Sequence, residues 1–445
     1  MVDQPSAPAI LANAEHNGVK YIDLQFTDIS GVVKNVTIPV DRLPKALSDG
    51  VWFDGSAIEG FARVAENDMH LRPDLTTFSI LPWLTGGDVT GRLMCDVYTP
   101  DGQPFAGDPR SVLRSVLARA ADMGLTFQTG LELEFYLLKP GPDGGYIPPE
   151  TYDSAGYFDA PSDSAAGLRR RMASALSAVG IQVDAMHSEV GTGQHEIDFH
   201  YSDALTTADN AITFRVVTRA IAQQHGLYCT FLPKPARGMP GSGMHVHQSL
   251  SYKGAGKNAF ADTGDPRGLS KLAHHFIGGQ LAHARGMCAI LAPLVNSYKR
   301  LASGYEAPVN ICWARINRSA LIRVPRASSG DSTRLELRCP DPSCNPYLAF
   351  AVMLAAGLDG IQREIAAPDA AEENLHEPQP RGAGKLAVLP DSLSSALDAL
   401  EADPLICDTL GVHIVERFVQ AKRAEWEDYR LDVSDWELKH YLPAY

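Results

Sequence analysis

The chain has 445 residues, 45% hydrophobic and 21% charged, with a net charge of −14. These values fit an ordinary soluble globular protein, and the length suggests two domains, or one small plus one large, with ample surface to bury. The acidic balance argues against nucleic acid as the main partner, and the longest apolar run, residues 347–358, is too short to span a bilayer. Seven cysteines, an odd number with no Cys-x-x-Cys, argue against a disulfide framework or a zinc knuckle. The first residues show no basic and apolar leader pattern, so the expected setting is a reducing cytoplasm, away from membranes.

In chain order, Tyr21-Ile22-Asp23-Leu24-Gln25-Phe26 alternates, turns through Asp28-Ile29-Ser30-Gly31 and returns as Val32-Val33-Lys34-Asn35-Val36-Thr37-Ile38. This pattern predicts a β-hairpin over 20–38. Asp54-Gly55-Ser56 begins a glycine-rich loop, and 91–98 reads as another strand. Turn chemistry over 100–109 marks a boundary near residue 105. Beyond it helix and strand patterns alternate, with helices expected over 109–123, 165–179, 203–225, 267–290, 346–363 and 411–428. Residues 367–385 read as exposed loop, and no internal repeat stands out. The fold class is therefore α+β, with a small β-rich N-terminal domain (1–105) and a large α+β domain (106–445) whose sheet carries the chemistry.

Four stretches place charge where an ordinary strand places its core. They are Leu131-Glu132-Leu133-Glu134-Phe135, Gln194-His195-Glu196-Ile197-Asp198, Met244-His245-Val246-His247 and Arg334-Leu335-Glu336-Leu337-Arg338. Successive side chains of a strand point to opposite faces, so Glu132 and Glu134 share one face roughly 7 Å apart, while Leu131, Leu133 and Phe135 line the other. The same rule pairs His245 with His247 and sets Glu336 between Arg334 and Arg338. A buried carboxylate is costly unless paired or metal-bound. Four strands with one grammar predict a sheet whose concave face is a charged site and whose back is the core.

The candidate metal ligands are Glu132, Glu134, Glu189, Glu196, Glu336 and His245. Five carboxylates and one imidazole form a hard, oxygen-rich set suited to Mg2+ or Mn2+. Six ligands exceed what one ion needs once substrate and water take positions, so two or more ions are expected, as polyphosphate handling requires. Arginines 300, 315, 318, 323, 326, 334 and 338 concentrate positive charge in one segment, which suits a small anion such as phosphate or carboxylate. Such arginines beside metal ions fit phosphoryl transfer. With no Gly-x-x-x-x-Gly-Lys-Ser/Thr loop, the nucleotide is expected to rest on metals and arginines. Singly, each signal has a plainer reading: an exposed edge strand, core or surface histidines at 195 and 247, a solvated arginine face, a turn at 241–243. The weight comes from the set and its order.

That order resembles the glutamine synthetases of the bacterial and archaeal type I class. The similarity runs from Asp54-Gly55-Ser56-Ala57-Ile58-Glu59-Gly60-Phe61 to Cys339-Pro340-Asp341-Pro342-Ser343-Cys344-Asn345-Pro346-Tyr347-Leu348. Between them lie Gly241-Ser242-Gly243-Met244-His245-Val246-His247, Asn296-Ser297-Tyr298-Lys299-Arg300-Leu301, Tyr305-Glu306-Ala307-Pro308 and Asn317-Arg318-Ser319-Ala320. The resemblance implies an ATP-dependent ligase that activates L-glutamate as γ-glutamyl phosphate, which ammonia then attacks. It implies a β-grasp-like N-terminal domain and a curved antiparallel sheet forming an active-site funnel.

By motif matching, Glu134, Glu189 and Glu196 would hold the ion near glutamate and ammonia. Glu132, His245 and Glu336 would hold the ion on the ATP phosphates. Arg318, Arg323 and Arg334 would face phosphate, with Arg318 near the transferring group. Arg300 and Arg338 would hold the glutamate carboxylates and Gly241 the substrate backbone, while His247 and Ser249 match nucleotide-side positions. Glu306 would sit in a flap over the intermediate, and Asp54, contributed by a neighbouring subunit, would help bind and deprotonate ammonium. The resemblance also implies a homo-oligomer, a dodecamer of two hexameric rings with shared sites. The chemistry agrees: an acyl phosphate hydrolyses if water enters, and ammonium must lose a proton before it attacks.

Three positions depart from the pattern or stand open. Pro240 lies where ammonia-using members commonly have Asn; proline fixes φ and lacks an amide donor, so a γ-glutamyl-amine ligase acting on a polyamine or small amine is the alternative. His376, in Asn374-Leu375-His376, lies where some members carry an adenylylated tyrosine, which predicts no such control. Arg63 matches an arginine used in glutamine feedback by one subgroup, or is an ordinary loop arginine. A non-catalytic, synthetase-like protein is the rival from another class, and the presence of every proposed ligand argues against it.

Overall fold

The protein is described from a computed structural model covering residues 5–56, 58, 68–84, 87–141, 151–160, 163–265, 267–302, 307–372 and 386–445. Six strands form the first sheet: β1 (Tyr21–Thr27), β2 (Val33–Pro39), β3 (Val51–Asp54), β4 (Asp68–Pro73), β5 (Ser79–Ile80) and β6 (Thr90–Tyr98). Their order is β2-β1-β6-β4-β3, with β5 against β6, and β1 and β6 run parallel. The expected hairpin is β1–β2, and its turn is built by Asp28, whose Oδ1 accepts from the amides of Ser30 (3.0 Å) and Val32 (2.9 Å). Gly31 closes the turn at φ 77°, a left-handed value that favours glycine. A Cβ there would also lie 2.9 Å from the Cα of Asn345, because the hairpin tip abuts the large domain. Asn345 Nδ2 in turn donates to the Asp28 carbonyl at 3.1 Å.

The second sheet holds β7 (Leu125–Leu138), β8 (Val183–Ser188), β9 (Gln194–Asp203), β10 (Tyr228–Thr230), β11 (Met244–Tyr252), β12 (Asn310–Ala314), β13 (Ala320–Arg323) and β14 (Leu335–Leu337). The order is β12-β13-β14-β11-β7-β9-β8, with β10 against β7. Neighbours are antiparallel except β12 and β13, which are parallel. Leu131, Leu133, Phe135, Val246, Leu335 and Leu337 point into one large core, capped by the almost wholly buried helix Pro346–Gln362. The back of the sheet is thus the core, and its other face is left for polar groups.

Helices Pro109–Asp122, Asp163–Ala178, Ala204–Gln224 and Val412–Leu431 lie where the periodicity places them. The single helix expected over 267–290 is instead two, Lys271–Ala282 and Ala284–Leu291. Ser270 caps the first by accepting from the Ala273 amide, and His283 interrupts the pair at φ −99°, ψ 7°. Its imidazole is drawn between Asp403 (2.8 Å) and Asp359 (3.1 Å), carboxylates far along the chain that no local pattern reveals. Burial alone would lower the His283 pKa, but the bonds to Asp403 and Asp359 raise it. The stability it contributes is full below its unfolded value and is lost as pH rises through the folded one. Replacing His283 with Gln should therefore lower the melting temperature more at about pH 6 than at about pH 9; an equal loss at both would show that charge plays no part.

Of the loop expected over 367–385, residues 373–385 lie outside the described set, while Glu372 accepts from the amides of Arg315 and Ile316, both at 2.9 Å. Among the described residues, no helix is long and apolar enough to cross a membrane.

Candidate active site

Register turns the alternation within each strand into rows across the sheet. Glu132 on β7 lies opposite His245 on β11 and Asp198 on β9. Glu134 lies opposite Glu196, which lies opposite His187 on β8. On the other flank His247 lies opposite Glu336 on β14, which lies opposite Arg323 on β13. Every one of these side chains stands on the face away from the core.

The first group gathers around Glu132. Its carboxylate meets His245 Nδ1 at 3.1 Å and His247 Nε2 at 2.7 Å. Arg334 Nε lies 3.2 Å from His247 Nδ1, and a guanidinium only donates. That fixes the His247 tautomer: Nδ1 accepts, and Nε2 carries the proton given to Glu132. Burial would raise the Glu132 pKa, but these imidazole bonds hold it well below the usual carboxylate range. Glu336, 1% exposed, is also held down against burial, chiefly by Arg338, with which it pairs. Its second oxygen accepts from Arg323 Nη1 at 2.7 Å. One donor atom each from Glu132, His245 and Glu336 lie within 4.8 Å of one another. Two ionised carboxylates and one imidazole at that spacing fit a hard divalent cation.

The second group is more crowded with negative charge. Burial, followed by repulsion from Glu189, pushes Glu134 up to about 8. Burial and then Glu134 raise Glu196, while burial and then Glu132 lift Asp198 to about 6. His187 Nε2 lies 3.1 Å from Glu196, and donor atoms of His187, Glu196 and Asp198 fall within 4.8 Å of one another. Carboxylates so placed must hold protons or share a cation. This donor set also fits a divalent ion.

Two cavities open on this face. One, of about 270 Å³, is bounded by Glu134, Glu189, Pro240, Gly241, Arg300 and Arg338. The other, of about 330 Å³, is bounded on one side by Glu132, Asp198, His247, Ser249 and Arg334. Arg300, 4% exposed, is held by the carbonyls of Cys339 (2.8 Å) and Arg338 (3.0 Å). A Cβ on residue 241 would lie 2.7 Å from Arg300 Cγ, so only glycine lets the chain pass that close.

The structure thus gathers Glu132, Glu134, Glu189, Glu196, His245, His247, Ser249, Arg300, Arg323, Arg334, Glu336, Arg338 and Gly241 along one face. Asp54 stands apart: it ends β3 of the other sheet, is exposed, and accepts from the Ser56 amide at 2.9 Å. Arg318 is exposed on the turn between β12 and β13 and lines neither cavity. Glu306, Arg63 and His376 lie outside the described residues. His195 faces the core, pushed down to about 3 by burial and by Arg169, whose Nη1 is 2.7 Å from its Nδ1. His187, Asp198, Gln194 and Tyr136 were not among the candidates. Asp198 and Gln194 were within reach, because both share strand parity with Glu196.

Residues 18–100 match the family described as glutamine synthetase, beta-Grasp domain, and residues 106–441 match glutamine synthetase, catalytic domain. The chain belongs to the glutamine synthetase family. It is 53% identical over 444 residues to the glutamine synthetase of Thermus thermophilus, covering 98% of each chain. To that of Halobacterium salinarum it is 50% identical over 441 residues, covering 98% of this chain and 96% of the relative. It is also similar to a solved structure of a GmaS/ADP complex, with a TM-score of 0.88 at 33% identity over 98% of this chain and 99% of the other.

Proposed function

We propose that the chain is an ATP-dependent glutamate–ammonia ligase, forming glutamine, ADP and phosphate through γ-glutamyl phosphate. The observation that carries this reading is one sheet face that brings two carboxylate–imidazole donor sets together with two cavities, one holding Arg300 and Arg338 and the other Arg334. The nucleotide takes the cavity of His247, Ser249 and Arg334, and glutamate takes that of Gly241, Arg300 and Arg338. Glu132, His245 and Glu336 would hold a divalent ion, Mg2+ or Mn2+, on the ATP side, and Glu134, Glu189 and Glu196 would hold another beside glutamate. Ions held by these residues would supply neutralisation of the phosphate charge.

An oxygen of the glutamate γ-carboxylate attacks the terminal phosphorus of ATP; a new O–P bond forms and the bond to ADP breaks. Arg334, which lines the nucleotide cavity, and Arg323 and Arg318 would balance charge on the phosphates. Ammonia then attacks the acyl carbon, and phosphate leaves with the former carboxylate oxygen. Ammonium must lose a proton before it attacks, and Asp54 is the carboxylate assigned to help take it. Asp54, exposed at the edge of the small sheet, would serve a neighbouring subunit in a dodecamer of two hexameric rings, and Glu306 would guard the intermediate from water. Six of the seven free thiols are buried, in keeping with a reducing cytoplasm.

Phosphate release from ATP and glutamate, measured with ammonium and with a panel of mono-, di- and polyamines, tests the reading. Strong release with ammonium, matched by glutamine, is the expected result. Release only with an organic amine would move the activity to γ-glutamyl-amine ligation and point to Pro240. Silence with every acceptor would overturn ligation itself.

A further inference from the structure

A third set of polar groups lies in and behind the wall of the glutamate cavity, and neither donor set includes it. Gln194 is 1% exposed and Tyr136 wholly buried. They sit where β7, the loop 189–193 and the segment 240–243 meet. Gln194 Nε2 donates to Glu134 Oε2 at 2.9 Å and to the Gly241 carbonyl at 3.0 Å. Its Oε1 accepts from the Gly191 amide at 3.0 Å and lies 3.2 Å from the Tyr136 hydroxyl. That hydroxyl has one proton to give, and the Pro240 carbonyl, at 2.9 Å, is the nearer acceptor. A Cβ on residue 191 would fall 2.0 Å from the Tyr136 oxygen, so the loop carrying Glu189 closes on this hydroxyl only because residue 191 is glycine.

Pro240 has no amide hydrogen and brings no polar side chain, so its position rests on its neighbours. Ser242 and Gly243 are tied by their amides, to the Pro233 carbonyl and to Glu134. The carbonyls of residues 240 and 241 are held by Tyr136 and Gln194. Each carbonyl has a second lone pair, and both residues line the cavity that Arg300 and Arg338 make cationic. A ligand whose carboxylates meet those arginines has an ammonium group left to place, and two carbonyl oxygens beside Glu134 are a fitting receiver.

We propose that Tyr136 and Gln194 are positioning residues for glutamate, fixing the Pro240 and Gly241 carbonyls against Glu134 where the substrate's α-ammonium group binds. This rests on the ligase reading above. Tyr136 sets the proline carbonyl, Gln194 sets the glycine carbonyl and the carboxylate, and their mutual contact makes the two one unit. Gln194 borders the cavity, while Tyr136 stands behind it and acts only through the carbonyl it holds. A variant of Tyr136 should therefore damage glutamate binding selectively.

The test is Tyr136→Phe, which keeps the ring and its packing and removes only the hydroxyl. Its KM for glutamate should rise about tenfold, the scale of one lost hydrogen bond. The KM for ATP, the melting temperature and, within about threefold, kcat should hold. Titrating glutamate into the assembled protein with Mg2+ and a non-hydrolysable ATP analogue should show the same loss without turnover. Unchanged glutamate KM and affinity would overturn the proposal, as would equal rises for both substrates with a fall in melting temperature. A wild-type protein that releases no phosphate sinks the ligase reading, whereas an active wild type with an indifferent Tyr136→Phe sinks only this one.

Discussion

Glu336→Ala is expected to abolish ligation and to weaken Mg2+·ATP binding by at least a hundredfold. Glu336 is almost wholly buried between Arg323 and Arg338, with His245 Nδ1 3.7 Å away. Removing it strips the proposed ATP-side ion of a ligand and leaves two guanidiniums facing each other without a counter-charge. Breaking a buried pair from one side costs about 3–5 kcal/mol, so some stability should go as well. Glu336→Gln separates the two effects, since it keeps the shape and an acceptor but loses the charge. Calorimetric titration of Mg2+·ATP should show a large loss of affinity in both variants, with the smaller stability loss in Gln. Wild-type nucleotide affinity in either would reject the ligand assignment.

Arg110→Ala should produce the largest loss of stability of any single substitution outside the site. Arg110 opens the helix Pro109–Asp122, is 3% exposed, and bonds Asp74 (2.8 Å), Asp96 (2.6 Å) and Asp209 (2.8 Å). Asp96 belongs to β6 of the small sheet and Asp209 to the helix Ala204–Gln224, where Tyr347 also donates to it at 2.6 Å. One guanidinium therefore ties the two sheets' domains together. Burial would raise the Asp74 pKa, but Arg110 brings it to about 2. A lowered carboxylate pKa means stability that is present above the unfolded value and lost as pH falls toward the folded one. Without Arg110, Asp209 loses its guanidinium partner and Asp74 and Asp96 keep only the half-exposed Arg114, at a cost of about 3–5 kcal/mol. Urea unfolding at neutral pH should show that loss, and the deficit should narrow in acid as the aspartates protonate. A variant as stable as the wild type would mean that the domains stay joined without the Arg110 network.

The face was legible in the sequence because alternation is a local rule. Two residues apart on a strand means the same side, and that alone put Glu132 with Glu134 and His245 with His247. Which strand lies beside which was not legible, because register is decided by distant packing. His187 joins the site only because β8 pairs with β9, bringing it opposite Glu196. Strand parity puts Gln194 and Tyr136 on the charged face, but they acquire their partners only when the segment 240–243 folds over them. The broken helix at His283 has the same origin: its two aspartates lie 76 and 120 residues further along the chain. Motif order suggested roles for Asp54 and Arg318 that this single chain does not bring to the cavities.

The most direct test follows an oxygen atom. Glutamate labelled with 18O in its γ-carboxylate, incubated with ATP, ammonium and Mg2+, should deliver one labelled oxygen to each phosphate released, because the carboxylate must bond to phosphorus before nitrogen displaces it. Labelled phosphate formed in step with glutamine would establish the acyl phosphate route. Glutamine formed alongside unlabelled phosphate would contradict it, and with it the reading of the arginine and carboxylate face as a site that joins ATP to glutamate.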